Sequence, residues 1–319
     1  MKGRIIKGVG GFYTIEPIEA IESTTEAVEV ATDKGEAAAL ATWDQAAEAA
    51  PRLFTAQGRG LLKKQGLVLT VGDEVTFQLR EDGDAWITQV LPRRNRFVRP
   101  PIANVDLIVT VAAMRDPRPN LELIDRFLIM AEASGAETVL CLNKTDLAET
   151  SEVARLTQIY QGACPVLPIC GRTGMGMDQL KELIQGRTAA LAGPSGAGKS
   201  TVINWLIPHA DMETGSISNK TGRGKHTTRH VELFRQLWGS VFDTPGFTSF
   251  DILEVTEEEL AGCYPELAVH AGQCKFDDCR HSKEPGCAVR AAVEAGQIPR
   301  ERYRSYQENL ATLQQKKRY

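Results

Sequence analysis

The run Gly193-Pro194-Ser195-Gly196-Ala197-Gly198-Lys199-Ser200 has the types and spacing, G-x-x-x-x-G-K-[ST], to hold a chain of phosphates. The glycines let successive backbone N–H groups turn inward around a β-phosphate. A helix expected through Thr201–Leu206 adds the positive end of its dipole, with Thr201 in its first turn. Lys199 is suited to the β- and γ-phosphates, and the Ser200 hydroxyl to Mg²⁺. Further on, Asp243-Thr244-Pro245-Gly246 follows a short apolar run. Asp243 would hold Mg²⁺ through its water shell and the Gly246 N–H would sense a γ-phosphate, although D-x-P-G is also a common turn. Between these motifs lies Gly222-Arg223-Gly224-Lys225-His226-Thr227-Thr228. Thr227 or Thr228 would complete the magnesium shell when a γ-phosphate is present, as switch loops do.

A second constellation can read a base. Asn143-Lys144-Thr145-Asp146 follows the apolar run Thr138–Leu142, at the carboxyl edge where nucleotide folds bind their ligands. An Asp there accepts hydrogen bonds from N1–H and the exocyclic amine of guanine. Adenine has no donor at N1, so a site built this way discriminates by factors of about 10⁴. The order is unusual, because base-reading motifs ordinarily follow D-x-x-G and this one precedes the phosphate loop. No second N-K-x-D follows Gly246, and 105–185 supplies the strands and helices that the region beyond 246 lacks. The order therefore implies a circular permutation, which leaves a sheet intact when the cut falls in a surface loop. It also runs the segment after Asp243 directly into the C-terminal part of the chain.

A third group binds metal. Cys274, Cys279, His281 and Cys287 supply three thiolates and an imidazole within a short segment, the closed ligand set of structural Zn²⁺. A segment with few large apolar residues needs such a staple. Cys141, Cys164, Cys170 and Cys263 read as plain buried residues.

The elements that must position these groups fall into three textures. Residues 1–98 carry short β-like runs (Arg4–Ile6, Phe12–Ile15, Glu74–Leu79, Ala85–Leu91) and suggest a small barrel, interrupted near 16–50 by an acidic, Ala-rich insertion. Residues 99–250 alternate buried-strand runs with helical spacing: Val105–Ala113, a helix over Leu121–Ala133 stopping at Gly135, then Thr138–Leu142, Pro165–Ile169, Ala189–Ala192 and Ser240–Phe242. That is an α/β doubly wound parallel sheet. Residues 251–319 are helical and contain the metal group. The whole chain has 319 residues, 24% charged, with net charge −4, so nucleic-acid contact must come from local patches rather than a global field. No apolar run approaches the ~18 residues of a membrane span, and Met1–Gly11 lacks the apolar core of a signal peptide. A cytoplasmic monomer is expected.

Taken together, these motifs, with Phe247 after Gly246 and Glu284-Pro285-Gly286 inside the cysteine cluster, resemble the ribosome small-subunit-dependent GTPase A family over nearly the whole length. The resemblance implies an N-terminal OB-fold barrel, a permuted GTPase domain and a zinc domain. It further implies GTP hydrolysed to GDP in late maturation of the small ribosomal subunit, with stimulation by that particle. The chain departs from the family pattern in its longer 16–50 stretch and in Cys170-Gly171, where Ser-Ala is usual. The N–H of Gly171 is then expected to meet the guanine carbonyl. Phe247 stands where many GTPases carry a water-orienting Gln, so slow hydrolysis without a partner is expected. His226 is the candidate to position the water, with Lys199 and Thr228 completing the catalytic group. The alternative for His226 is a phosphate or RNA contact beside Arg223, Lys225 and Arg229. RNA-facing candidates are Arg59 with Lys63 and Lys64, Arg93–Arg99, Arg300–Arg304 and Lys316–Arg318, each equally readable as a solvated face. Two rival functions stand beside the GTPase: a P-loop ATPase or kinase, and a GTP-dependent adaptor with negligible catalysis.

Overall fold

A computed structural model describes residues 1–18, 52–60, 62, 66–207, 231–243 and 255–316. They belong to two compact units, Met1–Pro92 and Arg93–Tyr319.

In the first unit, strands β1 (Lys2–Val9), β2 (Phe12–Pro17), β3 (Phe54–Gly58), β4 (Glu74–Leu79) and β5 (Ala85–Val90) run in the order β1-β2-β3-β5-β4. The β1–β4 pairing closes the ring, and β3 and β5 are the one parallel pair within it. Alternate residues turn inward, as the two-residue period of a strand requires. Ile5, Ile15, Phe54, Val75, Phe77 and Ile87 fill the barrel, with the Phe54 and Phe77 rings 5.5 Å apart. Gly3 lets β1 approach β2: a Cβ there would lie 2.4 Å from Ile15 Cγ2. This is the five-stranded OB-type barrel expected.

The second unit opens with a short hairpin, β6 (Arg96–Phe97) and β7 (Ile102–Ala103). Asn95 ties it down, donating from Nδ2 to the Val105 carbonyl and accepting from the Val105 N–H. Arg94 pairs with Asp106. Much of the expected Arg93–Arg99 linker is therefore held by the second unit.

The main sheet comprises β8 (Leu107–Ala113), β9 (Glu137–Asn143), β10 (Val166–Pro168), β11 (Thr188–Ala192), β12 (Glu232–Gln236) and β13 (Gly239–Asp243), in the order β10-β9-β8-β11-β13-β12. All neighbours are parallel except β12–β13. All seven residues of β8 are buried, as expected of a central parallel strand covered on both faces. Along β9, Val139 and Cys141 enter the core with α3 (Met177–Ile184) and α4 (Lys199–Leu206). Leu140 and Leu142 enter the core on the other face, with α1 (Leu121–Ser134) and α2 (Thr150–Tyr160). This is the doubly wound arrangement.

Helix α1 starts because Asn120 Oδ1 accepts the Leu123 N–H, and it stops at Gly135 in the left-handed region. Its Ile124, Phe127, Leu128 and Ala131 are buried at helical spacing. The C-terminal portion consists of α5 (Glu257–Leu260), α6 (Pro265–Ala271), α7 (Ala288–Glu294) and α8 (Arg300–Lys316). These helices build their own core around Leu260, Tyr264, Leu267, Val289 and Tyr306, and Ile129 of α1 inserts into it.

Candidate nucleotide site and metal cluster

Strands β9 and β11 flank β8, so the base motif and the phosphate loop leave one sheet edge about 10 Å apart, two strand spacings. Sequence distance is thereby cancelled. The phosphate loop is shaped by backbone that only glycine tolerates. Gly193 has φ 137, and a Cβ on it would lie 2.2 Å from the Val111 carbonyl oxygen. Gly198, with φ 93, precedes α4 and lies so close to Asn143 that a Cβ would meet its Nδ2 at 2.3 Å.

Asn143 joins the two motifs. Its Nδ2 donates to the Ala197 carbonyl at 2.8 Å, and its Oδ1 accepts the Gly171 N–H at 3.0 Å. The side chain is buried, where an unmade hydrogen bond costs about 1–3 kcal/mol. The N–H of Gly171, expected on the guanine carbonyl, is thus engaged by Asn143, and a base would have to share it. Gly171 also faces Thr201, with a Cβ position 3.2 Å from Thr201 Cγ2, so no larger residue fits without displacement.

Asp146 stands beyond the end of β9 with both oxygens occupied. Cys170 Sγ lies 3.1 Å from Oδ1 and Arg172 Nη2 lies 2.7 Å from Oδ2. The Cys170 hydrogen bond first, and Arg172 after it, hold the Asp146 carboxyl below the usual carboxylate range. The acid is therefore ionised and able to accept two donors from a base. Cys170 corrects its sequence reading: it is buried, but it is a polar partner of Asp146 and not mere packing. Its place in the loop that usually carries Ser-Ala was the available signal, because a thiol can donate where a serine hydroxyl would.

Lys144 Nζ donates to the Asp116 carbonyl, which ties the base motif to the loop after β8. In the same loop Pro117 Cδ lies 3.2 Å from the Cβ position of Gly196. Sequence reasoning assigned this loop no role, although the Pro-rich run Arg115-Asp116-Pro117-Arg118-Pro119 after a buried strand marks a fixed turn. Lys199 Nζ donates to the carbonyls of Gly193 at 2.7 Å and Pro194 at 2.9 Å, and burial lowers its pKa to about 8. Asp243 ends β13, next to β11. Ser200 and Thr201 stand in the first turn of α4, while Gly246, His226, Thr227, Thr228 and Phe247 lie outside the described residues.

The metal group is assembled. The donor atoms of Cys274, Cys279, His281 and Cys287 all lie within 4.8 Å of one another. Cys274 and Cys287 sulfurs are 3.9 Å apart, and His281 Nδ1 is 3.5 Å from the first and 3.6 Å from the second. A tetrahedron with Zn–S of about 2.3 Å and Zn–N of about 2.0–2.1 Å has S–S edges of about 3.8 Å and S–N edges of about 3.5 Å. The donor set fits zinc. Glu284 organises the loop by accepting the N–H groups of Arg280, Ser282 and Lys283 at 3.2, 2.8 and 2.9 Å.

The model of the RsgA GTPase family matches residues 90–253, half of the chain. The chain belongs to the RsgA GTPase family. It is 37% identical over 322 residues to a protein of Alkaliphilus metalliredigens named a small ribosomal subunit biogenesis GTPase, covering all of this chain and 99% of that one. A protein of the same name from Moorella thermoacetica is 42% identical over 268 residues, 83% of this chain and 92% of its own. Among solved structures, YjeQ from Thermotoga maritima matches with a TM-score of 0.78 at 30% identity, covering 98% of each chain. YloQ, described as a circularly permuted GTPase, matches with a TM-score of 0.76 at 29% identity, covering 99% of this chain and 95% of that one. The RsgA fold, the permuted motif order and GTP hydrolysis with GTP, GDP, Mg²⁺ and zinc as ligands are thereby those of this chain.

Among the described residues no helix is long and apolar enough to cross a membrane. Several expected RNA-facing cations already have protein partners: Arg59 with Gln78, Arg94 with Asp106 and Arg304 with Glu308, and Arg302, within the expected Arg300–Arg304 run, is buried and so faces no RNA. Lys63 and Lys64 lie outside the described residues.

Proposed function

We propose that this GTPase acts on the small ribosomal subunit during its late maturation, as a cytoplasmic monomer whose turnover the particle accelerates. The names of its relatives support the assignment. The observation that carries the site reading is Asn143, whose one amide joins the base motif to the phosphate loop.

In this reading Asp146 takes the N1–H and exocyclic amine of guanine, while Asn143 and Lys144 fix the loop around it. The backbone of 193–198 receives the phosphates, and Lys199 exchanges the Gly193 and Pro194 carbonyls for β- and γ-phosphate oxygens. Ser200, Thr228 and Asp243 would hold Mg²⁺, which supplies charge neutralisation on the phosphates when bound. His226 orients the water whose oxygen bonds to the γ-phosphorus as the bond to the bridging oxygen breaks, giving GDP and phosphate. Phe247 cannot form the hydrogen bond that a Gln would, so a partner that helps position the water raises the rate. Cys274, Cys279, His281 and Cys287 hold zinc as a closed structural site. The three functional regions proposed are 1–98, 99–250 and 251–319.

The deciding measurement is multiple-turnover phosphate release with and without purified small ribosomal subunits, with ATP as competitor. Stimulation by the particle and failure of ATP to displace GTP are expected. Negligible release both with and without the particle would favour the adaptor reading, equal measurable rates would remove the stimulation, and displacement by ATP would remove the guanine assignment.

A further inference from the structure

Among the described residues the largest fully buried side chain is an arginine that none of the assigned chemistry uses. Arg302, on α8, is 0% exposed. Its Nη1 binds Asp125 Oδ1 on α1, and its Nε donates to Glu266 Oε1 on α6 at 2.6 Å. The guanidinium lies over two rings, 4.6 Å from the centroid of Tyr264 and 5.3 Å from that of Tyr160. Burial works against its charge, but the Asp125 and Glu266 carboxylates outweigh it, and its pKa is raised. The ion stays charged in the interior.

We propose that Arg302 couples the nucleotide site to the zinc cluster, so that a bound guanine nucleotide slows loss of the metal. The proposal rests on reading 143–146 and 193–200 as the nucleotide site.

Toward that site the contacts are continuous. Asp125 lies in the second turn of α1, whose Asn120 cap fixes its start. The loop leading into that cap carries Asp116, which receives Lys144, and Pro117, which abuts Gly196. Tyr160, stacked on Arg302, donates its hydroxyl to the Leu121 carbonyl at 3.3 Å. Toward the metal the chain of contacts is as short. The residue after Arg302, Tyr303, donates its hydroxyl to the carbonyl of the ligand His281 at 2.7 Å. One turn on, Tyr306 donates to the Arg280 carbonyl at 2.8 Å, with its ring 6.2 Å from that of His281. Helix α8 therefore grips the GTPase body through buried Arg302, with Glu301 pairing Arg155 at 3.3 Å on the surface, and the zinc loop through two tyrosines.

A buried ion pair transmits displacement because it cannot stretch. Separating the partners would leave uncompensated charge in the interior, so the groups move together or stay fixed together. A nucleotide that immobilises Lys144 and the phosphate loop restrains the start of α1. That restraint passes through Asp125 and Arg302 to the loop holding His281, and a restrained loop opens less often to release its metal.

The test uses the zinc-loaded full chain and follows metal transfer to a chromogenic chelator with and without saturating GDP and Mg²⁺. GDP binding is titrated separately. GDP is expected to slow extraction from the wild type about fivefold, the low end of ordinary coupling between sites. In Arg302→Met, which keeps the volume without the charge, the ratio should fall to about one while GDP affinity falls by no more than about fivefold, the reciprocal of the same coupling. Tyr303→Phe removes only the hydroxyl at the zinc end and should also lower the ratio, which keeps the test decisive if the Met variant folds poorly. Wild-type extraction indifferent to bound GDP, or an undiminished ratio in both variants, overturns the coupling. Failure of GDP to bind the wild type at all would instead overturn the nucleotide-site reading on which it rests.

Discussion

Two arginine–aspartate pairs in this chain use the same ions in opposite settings. Arg172 and Asp146 meet at 2.7 Å with the arginine side chain 77% exposed and the carboxylate 23%. Arg302 and Asp125 meet with both side chains essentially sealed, 0% and 2% exposed. Water can replace Arg172 at once, so the first pair is exchangeable, and an exchangeable partner is what a ligand site needs. Nothing can replace Arg302 cheaply, and the second pair therefore fixes one element against another. The same two side chains serve recognition or architecture according to how much water reaches them.

The largest expected effect separates the pairs at once. Asp146→Asn should lower GDP affinity by a factor of about 10⁴ and favour xanthine nucleotides, because the amide donates where the acid accepted. Competitive nucleotide titration reads this, and an unchanged preference would mean that the exposed acid does not read the base. Next comes the buried pair. Arg302→Ala should destabilise the fold by about 3–5 kcal/mol by stranding Asp125 and Glu266, and Met at that position, which strands the same carboxylates and spares only the cavity, should cost nearly as much. Denaturant melts of the two variants check this, and small losses in both would remove the architectural reading.

Lys199 lies between the extremes and supplies a graded test. Burial lowers its pKa to about 8, so above that pH the empty site holds a neutral amine. Phosphates favour the charged form, so binding takes up a proton. GDP affinity should be flat below pH 8 and fall by up to about tenfold per unit above it. A flat titration to pH 10 would contradict this. The smallest effect belongs to Arg172→Ala. Water screens an exposed pair, which therefore adds little to stability, so a thermal melt should barely change. A loss comparable to that of Arg302→Ala would erase the contrast.

Much of this arrangement was legible in the sequence because its physical demands are local. β8, β9 and β11 are near-continuous apolar runs, which only a sheet covered on both faces accommodates. The phosphate loop requires glycine at specific positions, and a zinc sphere requires its four ligands. β12 was missed because Glu232-Leu233-Phe234-Arg235-Gln236 has only two apolar residues, adjacent rather than alternating, so it shows neither a buried run nor a two-residue period. β3 was missed because it is five residues long and follows directly on the acidic insertion, and its parallel pairing with β5 is a purely tertiary event. The Asp146 partners were half legible: Cys170 stood in the right loop, while Arg172 has no motif. Arg302 was read within the RNA-facing run Arg300–Arg304, as one cation among several on a charged helix; its burial overturns that reading, because only folding brings Asp125 to it from 177 residues away.

One close approach carries a consequence for how variants of this chain would behave. The α-carbon of Gly198 has no room for a methyl group, because the amide of Asn143 occupies that space. Alanine at 198 would push that amide off the Ala197 carbonyl and slacken the turn that presents Asp146. A lesion placed among the phosphate contacts would then surface as poorer choice between purines, and screening for lost base fidelity would recover changes that never touch the base.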